Sequence, residues 1–328
     1  MSVPLRIAIA GCGKIASRHA AAAQQVGTLT AVCDTDAGAA ERLAASTGTR
    51  CYLSLESMME QESGIDLIAI CTPNGWHARQ STLALEAGHH VLCEKPMSLS
   101  TADAQEMIAT ARRCGKRLFV VKSNRYNPLL LQLKQTLDGG GIGQVYSFQL
   151  NGFWNRPASY YEDSWHGTPL DGGPLFTQFS HYIDTLLWLF GDLKHVSGVR
   201  RNLAHKGLLH GEDTGIATLE MVSGLSGGLH WSVNSYQRNM EVSLTILAER
   251  ATLRLGGAYL DRIEYQLAAE PVWAPDTGLI RAEPGHHIEI YENIVRALND
   301  PRCPIPQAED GFRTVSAIEA IYQSIPLT

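Results

Sequence analysis

The feature that most constrains this chain lies at its start, where an apolar run, Arg6-Ile-Ala-Ile-Ala10, breaks off in Gly11-Cys-Gly13-Lys-Ile-Ala16. The run reads as a strand and residues 14–26 as a helix. In a Gly-x-Gly-x-x-Ala turn between them, Gly11 permits the sharp reversal and Gly13 lets a pyrophosphate approach the backbone. The small Ala16 lets helix and strand pack closely. The first helical turn offers unpaired N–H groups and the positive end of a dipole, so Lys14 and Ile15 join the two glycines as candidate cofactor-binding residues. A bare glycine turn would read the same in isolation, but the context adds to it. Asp34 ends the next apolar run, 21 positions after Gly13, where a carboxylate accepts from the adenosine ribose hydroxyls. Capping the second helix is its other reading. A carboxylate there repels a 2′-phosphate and Thr35-Asp36 offers no arginine to receive one, so the pattern favours NAD over NADP.

The rest of the first third repeats the alternation. Apolar runs at 29–33, 66–70, 90–93 and 117–121 are separated by helical patterns at 37–46, 77–87 and 101–114. Strands apolar throughout and separated by helices predict a parallel sheet covered on both faces. After Asn124 the pattern changes to alternating polar and apolar residues, around 145–150, 214–222, 228–233, 241–247 and 251–255, which predicts an antiparallel or mixed sheet with unlike faces. One helix is expected over 174–190 and a last pair over 288–298 and 311–324. With 328 residues, two domains are expected. The fold class is α/β: an N-terminal Rossmann domain with a parallel sheet over 1–124, and a C-terminal α/β domain with a large open, mostly antiparallel sheet over 125–328.

The net charge of −6 argues against nucleic acid and against a polybasic membrane patch, leaving a small-molecule ligand. The seven cysteines show no Cys-x-x-Cys or Cys/His spacing, so no metal site is expected. Cys33, Cys71 and Cys93 sit at predicted strand ends as small apolar residues, and reduced thiols fit a cytoplasmic protein; a reactive thiol at Cys12 or Cys71 is the alternative. Lys14, Arg18 and His19 interrupt any signal-peptide core, and no apolar run approaches the roughly 20 residues that span a bilayer.

Open α/β sheets bind ligands at the C-terminal ends of their strands. Two further segments fall there: Cys71-Thr72-Pro73-Asn74 with His77, and Glu94-Lys95-Pro96. Thr72, Pro73, Asn74, His77, Glu94 and Lys95 are therefore cofactor-site candidates. His77 could equally cap its helix, and Glu94 and Lys95 could be a surface ion pair, although an apolar strand delivers both charges to the ligand edge.

Taken together, these pieces resemble the glucose–fructose oxidoreductase / inositol dehydrogenase / rhizopine catabolism (Gfo/Idh/MocA) family. The likeness continues through Asn124-Arg-Tyr-Asn-Pro128, Gly172-Gly173 with His181 and Asp184, and Glu309-Asp-Gly311. It implies a Rossmann domain joined to an open-sheet domain through which such chains often form dimers or tetramers. It also implies Asn124 near the cofactor, Lys95 beside nicotinamide and substrate hydroxyl, and His181 as acid/base. Helical periodicity over 174–190 adds to this, setting Thr177, His181 and Asp184 on one stripe opposite Leu175, Phe179, Ile183, Leu186 and Phe190. A neutral histidine, with a reference pKa near ~6.5, suits a general base, and an ammonium at Lys95 would stabilise a developing alkoxide.

The inositol dehydrogenase branch carries Asp four residues before its catalytic histidine, where this chain has Thr177. Residues 165–181 look closer to the branch that oxidises UDP-N-acetylglucosamine or its uronate at C3, although that branch typically reads Trp-Arg-Gly and this chain has His166. Thr177 is retained as a catalytic candidate, and Arg156, Trp165 and Gln178 as substrate candidates. Arg156 could meet a substrate carboxylate or phosphate, or be a solvated loop arginine. Three other readings stay open: a free-sugar or polyol dehydrogenase, a redox-neutral NAD-dependent glycosidase or lyase, and a non-catalytic NAD-binding regulator.

Overall fold

The computed structural model describes residues 4–274, 286–300, 302–303 and 305–328. Its contacts divide the chain into two compact units, 1–123 with 286–315 and 124–285 with 316–328. The sequence suggested one division after residue 124. The chain does leave the first unit there, but residues 286–315 return to it. The physical reason is the amphipathic helix His287–Asn299, whose Ile290, Tyr291, Ile294 and Ala297 are buried in packing against helix Ala16–Val26. That helix offers the small side chains Ala20, Ala22 and Ala23.

In the first unit, strands β1 (Leu5–Ala10), β2 (Gly27–Cys33), β3 (Arg50–Tyr52), β4 (Leu67–Ile70), β5 (His90–Cys93) and β6 (Leu118–Val120) form one sheet in the order β3-β2-β1-β4-β5-β6. All its pairings are parallel. Helices α1 (Ala16–Val26), α2 (Ala37–Thr47), α3 (Leu55–Gln61), α4 (His77–Glu86) and α5 (Thr101–Arg113) alternate with the strands. Ile7, Ala8, Ile9, Leu67, Ile68, Ala69, Ile70, Val91, Leu92 and Cys93 are all 0% exposed, as strands covered on both faces must be. The strand order reverses between β1 and β4, and such a switch point leaves a crevice beyond the strands' C-terminal ends. The first turn of α2 is capped by Asp36, whose carboxylate accepts from Ala39 N, so Asp34 is not the cap.

The second unit holds α6 (Pro128–Asp138), β7 (Val145–Phe153), α7 (Pro174–Thr177), α8 (Ser180–Phe190), β8 (Leu193–Arg201), β9 (Thr214–Met221), β10 (Ser226–Ser232), β11 (Glu241–Ala248), β12 (Ala251–Gly256) and β13 (Arg262–Ala268). Its seven strands run β13-β12-β11-β7-β10-β9-β8. Only β7–β10 pairs parallel among the described pairings. One face is covered, in part by α8, whose Phe190 stacks on Phe148 of β7 at 4.8 Å. The opposite face leaves Val199, Ile216, Leu247, Tyr265 and Leu267 exposed. The return helix α9 (His287–Asn299) and α10 (Ala308–Ser324) complete the described elements. No described helix is long and apolar enough to cross a membrane.

The single helix expected over 174–190 is interrupted. Gln178 N and Phe179 N both donate to Pro174 O, at 2.8 and 3.0 Å, which closes the first helix, and a second begins at Ser180 with Phe179 as its N-cap. This second helix is buried almost all round rather than amphipathic. Asp184, expected on a polar stripe, is 2% exposed.

Candidate active site

At the end of β1 the backbone turns at Gly11 with φ +94°, and a Cβ there would lie 2.6–2.7 Å from the backbone of Cys71 and Thr72 at the end of β4. Only glycine fits so close a backbone crossing. Gly13 and Lys14 are exposed, Ile15 is half-buried, and nothing lies within 4 Å of the position a Cβ on Gly13 would take. The Gly13 backbone is thus open to a ligand, with the N-terminus of α1 directly behind it. Asp34 faces this loop: Oδ2 accepts from Cys12 N at 2.7 Å and Oδ1 from Asp36 N at 2.9 Å. The carboxylate is held in place by the glycine loop and keeps lone pairs for a diol. These residues fit an adenosine dinucleotide: an open glycine backbone and helix N-terminus for pyrophosphate, and an oriented carboxylate for ribose. Burial and the Asp34 charge push the Cys12 thiol up to about 12, and burial raises Cys71 well above the ordinary range, so neither is the reactive thiolate held open as an alternative.

The segments after β4 and β5 meet through His77. Its Nδ1 lies 2.6 Å from Pro96 O and its Nε2 2.7 Å from Thr72 O. His77 is 1% exposed, and burial, the largest influence, lowers its pKa against the pull of the two carbonyls. It therefore ties two loops together. Thr72 Oγ1 donates to Gln80 Oε1 at 2.6 Å; Pro73 precedes a short 3-10 turn that begins at the buried Asn74. Glu94 points inward, 6% exposed, and accepts from His19 Nε2 at 2.9 Å and from Lys95 N at 3.0 Å. Lys95 is half-buried at the mouth of the sheet, before a cis peptide bond to Pro96.

In the second unit, His181 stands in the first turn of α8, half-exposed where its neighbours Tyr182, Ile183 and Asp184 are buried. Its carbonyl accepts from Thr185 Oγ1 at 2.8 Å and from Asn124 Nδ2 at 3.4 Å. Asn124 also donates to Thr185 Oγ1 at 3.1 Å, so its amide braces the histidine's backbone. Asp184 is clamped by Arg125, with Nε and Nη2 at 3.0 and 2.9 Å from its two carboxylate oxygens. Thr177 Oγ1 donates to Asp171 O at 3.0 Å, and the break at Gln178 and Phe179 puts Thr177 and His181 on separate helices.

The substrate candidates group on the same unit. Arg156 lies over Trp154 and Tyr160, 4.9 and 5.1 Å from the ring centres. It spends four N–H groups within the protein: Nε and Nη2 on Gln178 Oε1, and Nη1 on Asn155 O and Asn239 Oδ1. Of five guanidinium donors, one is left over. Gln178 is 6% exposed and passes its own N–H to Tyr160 OH at 2.8 Å. Trp165 stacks on His166 at 4.0 Å, and His166 lies 4.3 Å from the Tyr160 ring.

The sequence reading missed His19, His287 and Tyr291, which surround Glu94. A signal for His19 was available: it is the one ring on the alanine face of α1 (Ala16, Ala20, Ala22, Ala23), fully buried, and a buried imidazole needs partners.

Comparisons with known proteins agree with this geometry. Residues 5–122 match the oxidoreductase family with an NAD-binding Rossmann fold, and residues 130–254 match the GFO/IDH/MocA C-terminal domain. Among solved structures, the WlbA dehydrogenase from Bordetella pertussis, in complex with NADH and UDP-GlcNAcA, is 33% identical with a TM-score of 0.91, covering 99% of this chain and 96% of that one. The WlbA dehydrogenase from Chromobacterium violaceum, in the same kind of complex, is 34% identical with a TM-score of 0.90, covering 99% and 96%. D-glucoside 3-dehydrogenase of Escherichia coli K12 is 27% identical over 98% of this chain and 96% of its own length. The chain belongs to the Gfo/Idh/MocA oxidoreductase family and is an NAD-dependent dehydrogenase.

Proposed function

We propose that this dehydrogenase oxidises a sugar hydroxyl, and that its substrate is a UDP-linked N-acetylamino sugar or the corresponding uronate, reacting at C3. The observation that carries the reading is the placement of two polar side chains at the ends of buried elements. Lys95 follows two residues after buried β5, and α8, buried along most of its length, leaves His181 half-exposed in its first turn. The 33–34% identity over nearly the whole chain to two dehydrogenases solved with NADH and UDP-GlcNAcA supports the substrate class.

NAD, when bound, supplies the hydride acceptor. Gly13 and the start of α1 would hold its pyrophosphate, and Asp34 its adenosine ribose. His181, as a neutral imidazole, takes the hydroxyl proton, and the Lys95 ammonium holds the hydroxyl oxygen and stabilises the charge that develops on it. Thr177, bound to Asp171 O, shapes the turn before His181 and carries no proton in this reading. Trp165 and Tyr160 offer faces to a sugar or base. Arg156, with four donors already spent, holds Gln178. The exposed sheet face with Ile216, Leu247 and Leu267 supports self-association as a dimer or tetramer in a cytoplasmic enzyme.

The similarity to D-glucoside 3-dehydrogenase favours a free or glycosidic sugar as the second reading. A single-turnover assay at 340 nm separates the two, with stoichiometric enzyme and NAD mixed with UDP-N-acetylglucosamine, its uronate, free glucosides and myo-inositol. A rise with the UDP-linked compounds alone is the expected result. A rise with the glucosides or inositol alone would replace the nucleotide-sugar reading by the second one.

A further inference from the structure

The turn that carries Lys95 is held from both sides by histidines on three helices. On its N-terminal side, Glu94 N still bonds to Ile70 O at 2.9 Å, as the strand does, while the Glu94 side chain turns into the unit. Its Oε1 accepts from His19 Nε2 of α1 at 2.9 Å and from His287 Nε2 of α9 at 3.4 Å, and its Oε2 accepts from Lys95 N at 3.0 Å. On the C-terminal side, His77 of α4 reaches Pro96 O and Thr72 O. Tyr291 of α9 closes the set, its hydroxyl 2.9 Å from His19 Nδ1. His19 and Tyr291 are 0% exposed and His287 8%.

The protons can be assigned. Glu94 is a carboxylate: burial opposes its charge, but the hydrogen bonds of His19 and His287 outweigh this and hold it well below the usual range. His19 Nε2 must then carry a hydrogen toward Glu94. Burial lowers the His19 pKa, so its ring is neutral, its Nδ1 is a lone pair, and Tyr291 donates to it. Tyr291 thereby fixes the tautomer that holds Glu94, and Glu94 fixes the N–H of Lys95. The same three ligand atoms lie within 4.8 Å of one another and resemble a metal-binding trio. Yet Nε2 and Oε1 at 2.9 Å stand at hydrogen-bond distance, closer than the roughly 3.3 Å between ligands about 2.0–2.1 Å from a tetrahedral zinc.

We infer that His19, His287 and Tyr291, acting through Glu94, and His77, acting through Pro96, are positioning residues that set the Lys95 ammonium for catalysis. The inference rests on the role given to Lys95 above. Because His19 lies on α1, directly behind the glycine loop, one network joins the cofactor loop, the lysine turn and the returning helix α9. A displacement of about 1 Å in a catalytic group costs on the order of 100-fold in rate. Removing the His19 proton donor should therefore lower kcat by about 10- to 100-fold while leaving the KM for NAD within about 3-fold.

The test uses the full chain and its His19→Leu, His19→Gln, Tyr291→Phe and Lys95→Met variants. The chain has seven lysines, few enough for each to be followed by NMR after reductive ¹³C-methylation, with the Lys95 signal identified by its loss in Lys95→Met. We expect the Lys95 titration midpoint to move in His19→Leu and in Tyr291→Phe, and to return in His19→Gln, whose amide N–H replaces Nε2–H. Single-turnover hydride transfer should fall and recover in parallel. Tyr291→Phe loses one hydroxyl and keeps the test available should His19→Leu fail to fold. An unmoved Lys95 signal in both His19→Leu and Tyr291→Phe would overturn the inference. So would stoichiometric zinc in the purified wild type that is lost in His19→Gln. If Lys95→Met turns over like wild type, the proposed catalytic role of Lys95 fails instead, a result the NMR arm does not depend on.

Discussion

Replacing Gly11 and Gly13 separately by alanine should divide stability from cofactor affinity. At Gly11 two costs add. The backbone sits at φ +94°, where a side chain costs about 1–2 kcal/mol. The new Cβ would also lie 2.6 Å from Cys71 C and 2.7 Å from both Cys71 O and Thr72 N. Ordinary contacts lie at about 3.5–4.0 Å, so β1 and the end of β4 must part by nearly 1 Å. Overpacking of that kind costs about 1–3 kcal/mol. Gly11→Ala should therefore lose about 2–5 kcal/mol, or roughly 4–20 °C in Tm at about 2–4 °C per kcal/mol. At Gly13 neither cost exists, because a Cβ would meet nothing within 4 Å. Gly13→Ala should keep Tm within about 2 °C but place a methyl group where pyrophosphate must approach, raising the Kd for NAD about tenfold or more, that is by about 1.4 kcal/mol. Thermal unfolding without cofactor and NAD titration by fluorescence measure the two quantities. If Gly13→Ala destabilised the chain as much as Gly11→Ala, or bound NAD as tightly as wild type, the assignment of the two glycines would be wrong.

Three further outcomes follow from the geometry. Asp34→Ala removes the carboxylate that holds Cys12 N and opposes a 2′-phosphate; the ratio of kcat/KM for NAD over NADP should fall at least tenfold, and an unchanged ratio would place cofactor choice elsewhere. Burial lowers the pKa of His19, so it is neutral when folded and takes a proton on unfolding below about pH 6.5. Its contribution is fully present above that pH and is lost as pH falls from it toward the folded value, by up to about 1.4 kcal/mol per pH unit. Urea unfolding at pH 7.5, 6.5 and 5.5 checks this, and a flat profile contradicts it. Arg156→Lys cannot reproduce the fork on Gln178; it should lower kcat and Tm together, whereas a raised substrate KM at unchanged Tm would make Arg156 a substrate contact.

The parallel sheet was legible because its central strands are short, apolar and bounded by glycine, aspartate or proline. The strands that escaped notice are edge strands. β3 has only three residues, none of them buried, and β8 buries Val196 alone among nine. An edge strand exposed on both faces has no reason to alternate, so its sequence carries no period to read. The helix over 174–190 was misread for a different reason. Its residues suit an uninterrupted helix, and the break falls at Gln178, whose side chain is held from outside the helix by Arg156 and Tyr160. The return of residues 286–315 to the first unit was hidden because an amphipathic helix states that it packs but not on what.

The candidate site divides along the same line. Groups that meet a ligand directly are restricted in type, since only glycine clears the Gly11 crossing and only a carboxylate suits the ribose. These could be read from position alone. The groups that hold them are ordinary histidines, tyrosines and amides, and His287 stands 193 residues from the Glu94 it supports. Their pairing exists only after folding, which has an energetic consequence. Glu94 is a charge 6% exposed, and a buried charge deprived of its partner costs about 3–5 kcal/mol. The first unit therefore cannot be well folded with the Lys95 turn loose, because the bonds that stabilise Glu94 are the bonds that place the lysine. Loss of His19 should for this reason weaken folding and turnover together, and only a substitution that keeps the N–H, such as His19→Gln, can restore both.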